Sequence, residues 1–420
     1  MSRVVLHVDF NAFYASAECL YRPEIRNFPM VVAGDPEKRH GIVLAKNDRA
    51  KAYGIKTGEP LFQARQKAPG LIAVPPNFPL YERIAYRARQ IYCEYSDRVE
   101  PFGMDESYVD ISGPGFTLED GLRVADKLRL HVARETGLTV SVGIADNKVF
   151  AKLGSDMQKP DASTLITPEN FKRRVWPLPA DNLLYVGRVT REKLRRCGIY
   201  TIGDIAGASP IALKGLLGKS GPMLHDFANG RDRSPVAFAE DHPPAKSIGN
   251  SLTTPHDIAC DQDVRVLLYL LSESVASRMR AAGLKGAVVQ LKVRENDLSW
   301  FDRQKKLSEP TNLAGEIAKE ALKLFESSGG LTKPLRGMGV TMTGLLPDDT
   351  PAQLSLLFDR AAREKAEARE RAVDDIRRRF GNRAICRAVL LCDPEIACLN
   401  PAQEHSVCFE RTIKEPAPRS

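Results

Sequence analysis

Val4-Val5-Leu6-His7-Val8-Asp9-Phe10-Asn11-Ala12-Phe13-Tyr14-Ala15-Ser16 is the stretch on which the reading of this chain turns. Val4 to Val8 are apolar enough for a buried strand, which delivers the carboxylate of Asp9 at its end. From Asn11 on, Ala12, Ala15, Ser16 and Cys19 recur at helical spacing, so strand passes to helix within two residues of the acid. Its counterpart is the adjacent pair Asp105-Glu106, within a predicted hairpin over 99–111 that contains Pro101 and Gly103. Hard divalent cations such as magnesium take carboxylate oxygens, and carboxylates on neighbouring strands can hold a pair of ions for phosphoryl transfer. Successive residues of a flat strand face opposite sides, so Asp105 and Glu106 converge only at the sheet edge or where Pro101 and Gly103 bend the chain. Taken singly, each of these carboxylates reads equally as a solvated strand end.

Outward from that centre the pattern is mixed. Strands at 31–33 and 42–44, helices at 47–53, 61–67, 79–96 and 118–136, a strand at 138–144 and a helix opened by Asn147 make an α+β unit to about residue 166. Between Leu183 and Asn229 the chain changes to short helices broken by glycine turns, at Gly187 and at Gly218-Lys219-Ser220-Gly221. Backbone N–H groups at such turns can bind DNA phosphates without reading sequence, although a plain helical hairpin explains them as well. Pro235, Pro243 and Pro244 among charges predict a linker over 232–245, followed by strand, helix, strand, strand, helix, strand: a small antiparallel sheet covered by two helices. A charged helix over 360–380 and an irregular tail complete the 420 residues. That length predicts about three domains.

The chain is 43% hydrophobic and 27% charged, which excludes wholesale disorder and collagen-like repeats. With 61 basic and 53 acidic residues its net charge is +8, which permits a polyanion partner without requiring one. Lys46, Lys51, Lys148, Lys152 and Lys159 are candidate triphosphate cations, and each read alone is a surface charge. Gly218-Lys219-Ser220 lacks the earlier glycine of a phosphate-binding loop, since Leu213 stands there. No apolar run approaches a membrane span, and no signal-peptide core follows Met1, so a cytoplasmic protein without a membrane partner is expected. The 8 cysteines are scattered and form no CxxC pair. Cys386, Cys392, Cys398 and Cys408 share the tail with His405 but read as ordinary thiols in a reducing compartment.

In this order the motifs resemble a Y-family, lesion-bypass DNA polymerase. The resemblance rests on His7 to Glu18, on Met104-Asp105-Glu106-Ser107-Tyr108-Val109-Asp110, on Val142 to Lys148 continuing through Lys152 to Asp156-Met157-Gln158-Lys159-Pro160, and on Thr190 to Leu194 with Gly198 to Asp204. It implies a right-handed polymerase with a palm (1–10 and 77–166), fingers (11–76), a helix-hairpin-helix thumb (167–231), the linker, a little finger (246–346) and a tail (347–420). It further implies a template-directed, low-fidelity polymerase for translesion synthesis, acting on primer-template DNA and dNTPs. Asp9, Asp105, Glu106 and the Phe10 carbonyl would hold two magnesium ions. Tyr14 takes the steric-gate position, and Lys159, Phe13 and Lys51 the triphosphate positions. Gly187, Val189, Gly218, Lys219 and Gly221 would meet DNA.

Four positions depart from the family pattern. Asp48 and Lys51 stand where a tyrosine and an arginine are usual, Gly103 replaces a serine, and Tyr185 replaces the first glycine of the thumb hairpin. Gln353, Leu354, Leu356, Leu357 and Phe358 resemble the motif by which bacterial polymerases bind the sliding clamp. A monomer is expected. The competing readings are a weakly catalytic or inactive accessory protein that binds DNA and clamp, and a nucleotidyl cyclase on a palm-like sheet.

Overall fold

The computed structural model describes residues 3–37, 39–241, 243–350, 360–382, 384–397 and 399. They divide into two compact units, one within 1–34 and 42–242, the other within 35–41 and 243–408. In chain order the first holds β1 (Val5–Phe10), α1 (Phe13–Tyr21), β2 (Met30–Ala33), β3 (Val43–Lys46), α2 (Asp48–Ala52), α3 (Leu61–Lys67), β4 (Ile72–Val74) and α4 (Phe78–Cys93). It continues with β5 (Val99–Pro101), β6 (Glu106–Asp110), α5 (Leu118–Thr136), β7 (Val140–Ala145), α6 (Lys148–Met157), β8 (Ser163–Leu165), α7 (Phe171–Arg174), α8 (Arg188–Arg196), α9 (Ile202–Gly207), α10 (Pro210–Leu217) and α11 (Ser220–Ala228). The second unit holds β9 (Ser247–Ile258), α12 (Asp261–Ala281), β10 (Leu284–Glu295), β11 (Trp300–Thr311), α13 (Ala314–Ser327), β12 (Leu335–Pro347), α14 (Arg360–Phe380) and α15 (Pro394–Ala397).

β1 lies at the centre of a five-stranded sheet, order β5-β6-β1-β7-β8. All its residues are buried, because helices cover both faces. Val4, Leu6, Val8 and Phe10 join the core formed with α4 and α5, while Val5 packs with Val149, Phe150 and Leu153 of α6. Strand alternation therefore puts His7 and Asp9 on the α6 side. Across from His7, Gly143 of β7 is the close-approach point: a Cβ there would sit 1.8 Å from the Ala151 carbonyl oxygen. Only glycine lets α6 settle this low on the sheet, which brings Lys152 and Ser155 down to the strand ends. Local signals agree. Thr117 and Asp120 form a capping box on α5, Gly137 ends that helix at φ +72, and the Asn147 side chain caps α6 by accepting from the Phe150 N–H at 2.9 Å.

A second, three-stranded sheet has the order β3-β2-β4. β4, parallel to β2, has only three residues and gave too short an apolar run to read from the sequence. Among the described residues the segment between α11 and β9 holds no helix or strand, yet it is not a free spacer. Val236 is fully buried, and the Ala237 N–H donates to Glu100 and the Ala239 N–H to the Asp97 carbonyl.

The sheet of the second unit runs β11-β10-β12-β9, all antiparallel, under α12 and α13, as expected. The tail is more ordered than the irregular run predicted. α12 is apolar around most of its circumference, and a helix of that kind has to be covered on both sides. Leu390 and Ile396 complete its core, and ion pairs fix α14 beside it. Glu273 pairs with Arg377 at 2.9 Å and Arg387 at 2.7 Å, Glu370 with Arg387 and Arg280, and Arg280 with Asp374 at 2.6 Å.

Candidate active site

Asp9 and Glu106 are directly opposed in the β1–β6 ladder. Asp105 precedes β6 rather than lying in it, so alternation does not turn it away. Its carbonyl accepts the Phe10 N–H at 3.1 Å, which ties the turn to the end of β1. The bend is made at Phe102 and Gly103, whose N–H groups both donate to the Glu106 carbonyl. A Cβ on residue 103 would stand 3.0 Å from Glu106 Cγ, so the absence of the usual serine gives the Glu106 side chain its room.

Each carboxylate has a different electrostatic setting. Glu106 accepts from Lys152 Nζ at 2.5 Å and has His7 Nε2 at 3.3 Å, a close but poorly aligned contact. Burial works against its charge, but His7 and Lys152 outweigh burial and hold the carboxyl down at about 2. Asp9 accepts from Lys159 Nζ at 2.7 Å, and burial still leaves its carboxyl above the usual range. Asp105 has no such cation. Burial, then the charges of Asp9 and Glu106, push it up to about 6. Among the described residues no three His, Cys, Asp or Glu side chains converge as a ready metal-binding set. Lysines stand on Asp9 and Glu106, and the crowd of hard oxygen donors around Asp105 is the chemistry that suits a divalent cation.

A cleft of about 790 Å³ opens beside these groups, lined by Asp9, Asp105, Tyr14, Lys159, Asp48 and Lys51 among others. Ala12, at φ +47, turns the chain so that α1 starts at the cleft. Phe13 is buried against Phe10, leaving its backbone to face the opening. The Tyr14 ring stacks on Tyr81 at 4.4 Å, and the Tyr81 hydroxyl donates to the buried Glu18 at 2.7 Å. Lys46 lines the cleft as well, its ammonium held below the usual range by burial and by Lys51. Asp48, Arg49 and Lys51 are exposed and form no ion pair among the described residues. Lys148 does not belong here: it pairs with Glu100 at 2.8 Å.

The hairpin residues separate into two kinds. Gly187 precedes α8, Val189 is exposed in its first turn, and Gly218 (φ +64) and Lys219 form the exposed turn between α10 and α11. Gly221, also expected to meet DNA, is of the other kind. It is buried, its N–H donates to the Gly218 carbonyl, and a Cβ there would lie 2.2 Å from the Leu213 oxygen, so it serves helix packing. Gln353, Leu354, Leu356, Leu357 and Phe358 lie outside the described residues.

Sequence reading assigned no role to His7, Ser155 or Asn11. Ser155 Oγ holds His7 Nδ1 at 2.8 Å. Asn11 Oδ1 accepts from the Asp161 N–H at 2.9 Å, which anchors the loop carrying Lys159. The signal for His7 was a polar ring inside a strand otherwise apolar on both faces, which demands a partner.

Residues 8–156 match the impB/mucB/samB family and residues 245–356 its C-terminal domain. A protein of Acetivibrio thermocellus named DNA polymerase IV is 48% identical over 94% of this chain and 98% of its own length. The DNA polymerase IV 1 of Bacillus subtilis is 34% identical over 93% of this chain and 94% of its own. A solved Y-family DNA polymerase chimera of Dbh and Dpo4 superposes with a TM-score of 0.73 at 26% identity, covering 82% of this chain and 99% of the chimera. With paired strand-end carboxylates beside a cation-lined cleft, this α+β fold is that of a right-handed polymerase, and the chain belongs to the impB/mucB/samB family, the Y-family DNA polymerases of the DNA polymerase IV type.

Proposed function

We propose that this chain is a template-directed, low-fidelity DNA polymerase for translesion synthesis, transferring nucleotides from dNTPs to a primer 3′-hydroxyl. The observation that carries the reading is the uncompensated Asp105, pushed up to about 6 between Asp9 and Glu106 at the mouth of the cleft. The family uses divalent metal. Two magnesium ions would be held by Asp9, Asp105, Glu106 and the Phe10 carbonyl, and when bound they supply charge neutralisation to the attacking and leaving oxygens. For that, Lys159 and Lys152 have to release Asp9 and Glu106, and Lys159 is then free to turn to the triphosphate. The backbone at Phe13, together with Lys46 and Lys51, receives the phosphates, while the Tyr14 ring, braced by Tyr81, lies where a 2′-hydroxyl would fall.

Residues 1–10 and 77–166, which hold the five-stranded sheet, serve as the palm, 11–76 as the fingers, 167–231 as the thumb and 246–346 as the little finger. DNA is gripped at Gly187, Val189, Gly218 and Lys219 through phosphates, without sequence preference. The stretch from Gln353 to Phe358 engages the bacterial sliding clamp, and the protein works as a monomer in the cytoplasm, which suits its free cysteines. Asp48, unpaired in the cleft, favours a second reading: a catalytically weak DNA- and clamp-binding accessory protein. Primer extension with magnesium on undamaged and lesion-bearing templates separates the two. Wild type should extend, and Asp105→Ala or Glu106→Ala should not, with DNA affinity nearly unchanged. Wild-type extension by either variant removes these carboxylates from the chemistry, and no extension by wild type leaves the accessory reading.

A further inference from the structure

Tyr185 stands at φ +69, in the loop that leads into α8. In that region Cβ crowds the following carbonyl oxygen, so a bulky side chain there is an outlier that persists only where something offsets the strain. The fold itself offers little in return. The residue is 60% exposed, and its ring's one aromatic neighbour among the described residues, Phe227, lies 6.2 Å away between centroids. Among the described residues its hydroxyl has no hydrogen-bond partner, and the apolar contacts of this loop are made by its neighbours, the buried Leu183 and Val186 and the half-buried Leu184.

The surroundings point to a polyanion. Tyr185 lines a cleft of about 510 Å³ together with Gly187, Asn182, Asp156 and Lys152. Lys152 is the residue whose ammonium lies 2.5 Å from Glu106, so this cleft adjoins the carboxylate site. α8 begins three residues later, and its Arg188, Lys193, Arg195 and Arg196 are exposed and form no ion pair among the described residues. Unneutralised cations on one short helix, next to an exposed phenol and a reacting site, are the footprint of a phosphate backbone.

We propose that Tyr185 contacts DNA: its ring packs on the deoxyribose-phosphate backbone of the primer strand as that strand reaches the carboxylates, and its hydroxyl donates to a phosphate oxygen. A glycine at this position would bring the hairpin backbone itself to the phosphate. The tyrosine replaces that approach with a side-chain contact, and the binding offsets the strained φ. The proposal rests on the polymerase reading above.

The test measures thermal stability and primer-template affinity of the full chain, the latter by fluorescence anisotropy over a range of salt. Tyr185→Gly and Tyr185→Asn both accept φ > 0 without the ring, and Tyr185→Phe keeps the ring without the hydroxyl. The expected result for Gly and Asn is a Tm equal to or above wild type with affinity lower by about fivefold, the size of one lost contact. Because the phenol is neutral, the salt slope should not change, and Tyr185→Phe should fall between. Wild-type affinity in both the Gly and Asn variants overturns the proposal. So does an affinity loss accompanied by a large drop in Tm in both, which would make the ring structural. If wild type fails to bind primer-template at all, the polymerase reading fails instead.

Discussion

Asp105 should destabilise the protein it serves. Its carboxyl is pushed from 3.8 up to about 6 by burial and by the charges of Asp9 and Glu106. The folded protein thus holds that proton more tightly than the unfolded chain does. Below pH 3.8 the group is protonated in both states and costs nothing; between 3.8 and 6 the cost grows; above 6 the group is ionised in both states and the cost is complete. A shift of about 2 units at ~1.4 kcal/mol per unit comes to about 3 kcal/mol. Asp105→Asn removes the charge and keeps the shape. In metal-free buffer it should stabilise the first unit by about 3 kcal/mol at pH 7.5 and by less than about 1 kcal/mol at pH 4. Urea unfolding followed by Trp176 fluorescence in a Trp300→Phe background isolates that unit. Added magnesium should then stabilise the wild type and do much less for the variant, while the variant loses primer extension. A gain of equal size at both pH values, or none at pH 7.5, would refute the electrostatic account.

Replacing Asp48 with Tyr and Lys51 with Arg together should lower the nucleotide Km about 30-fold. One repulsion in solvent-exposed surroundings and one gained bidentate contact are each worth about 1 kcal/mol; an unchanged or higher Km means Asp48 has a positive role. Tyr14→Ala should raise ribonucleotide insertion about 10- to 100-fold, measured as the ratio of kcat/KM for rNTP and dNTP. If discrimination holds, the gate lies elsewhere. Gly143→Ala, which forces a methyl onto the Ala151 carbonyl, should cost about 3 kcal/mol or more and lift α6 off the sheet; near-wild-type unfolding would contradict the packing described. Deleting residues 353–358 should leave distributive synthesis intact and abolish stimulation by the sliding clamp, so persistent stimulation would relocate that contact.

The parts of this molecule that were legible in the sequence are those governed by short range. A strand ending in Asp9, a hairpin presenting Asp105 and Glu106, and the helices over 314–327 and 360–380 follow from periodicity and turn residues. The question of whether Asp105 and Glu106 face one way was answerable only by the turn, which keeps Asp105 out of the ladder. What stayed hidden depends on pairs far apart in the chain. His7 meets Ser155 across 148 residues, and Gly143 looks like any strand glycine until Ala151 is set against it. The docked tail was missed for a similar reason: its apolar residues are few, and the Arg and Glu that hold it read as solvent charges until they are seen paired and buried. Lys148 and Lys152 were indistinguishable from Lys159 as triphosphate cations, because only the fold decides which carboxylate each one reaches.

The charge network under α14 has a mechanical consequence. Just before residues 351–359, Asp348 is tied to the Gly283 carbonyl at 2.9 Å; just after them, Arg363 is tied to the Pro310 carbonyl at 2.7 Å, and the helix beyond is bolted down by Arg280, Arg377 and Arg387. The described residues on either side of that stretch, Asp348 before it and Arg363 after it, are therefore both moored to the second unit. Cutting the network, for example with Glu273→Gln and Arg280→Met together, should let α14 peel from α12 while the sheet beneath stays paired, read as faster amide exchange confined to α14.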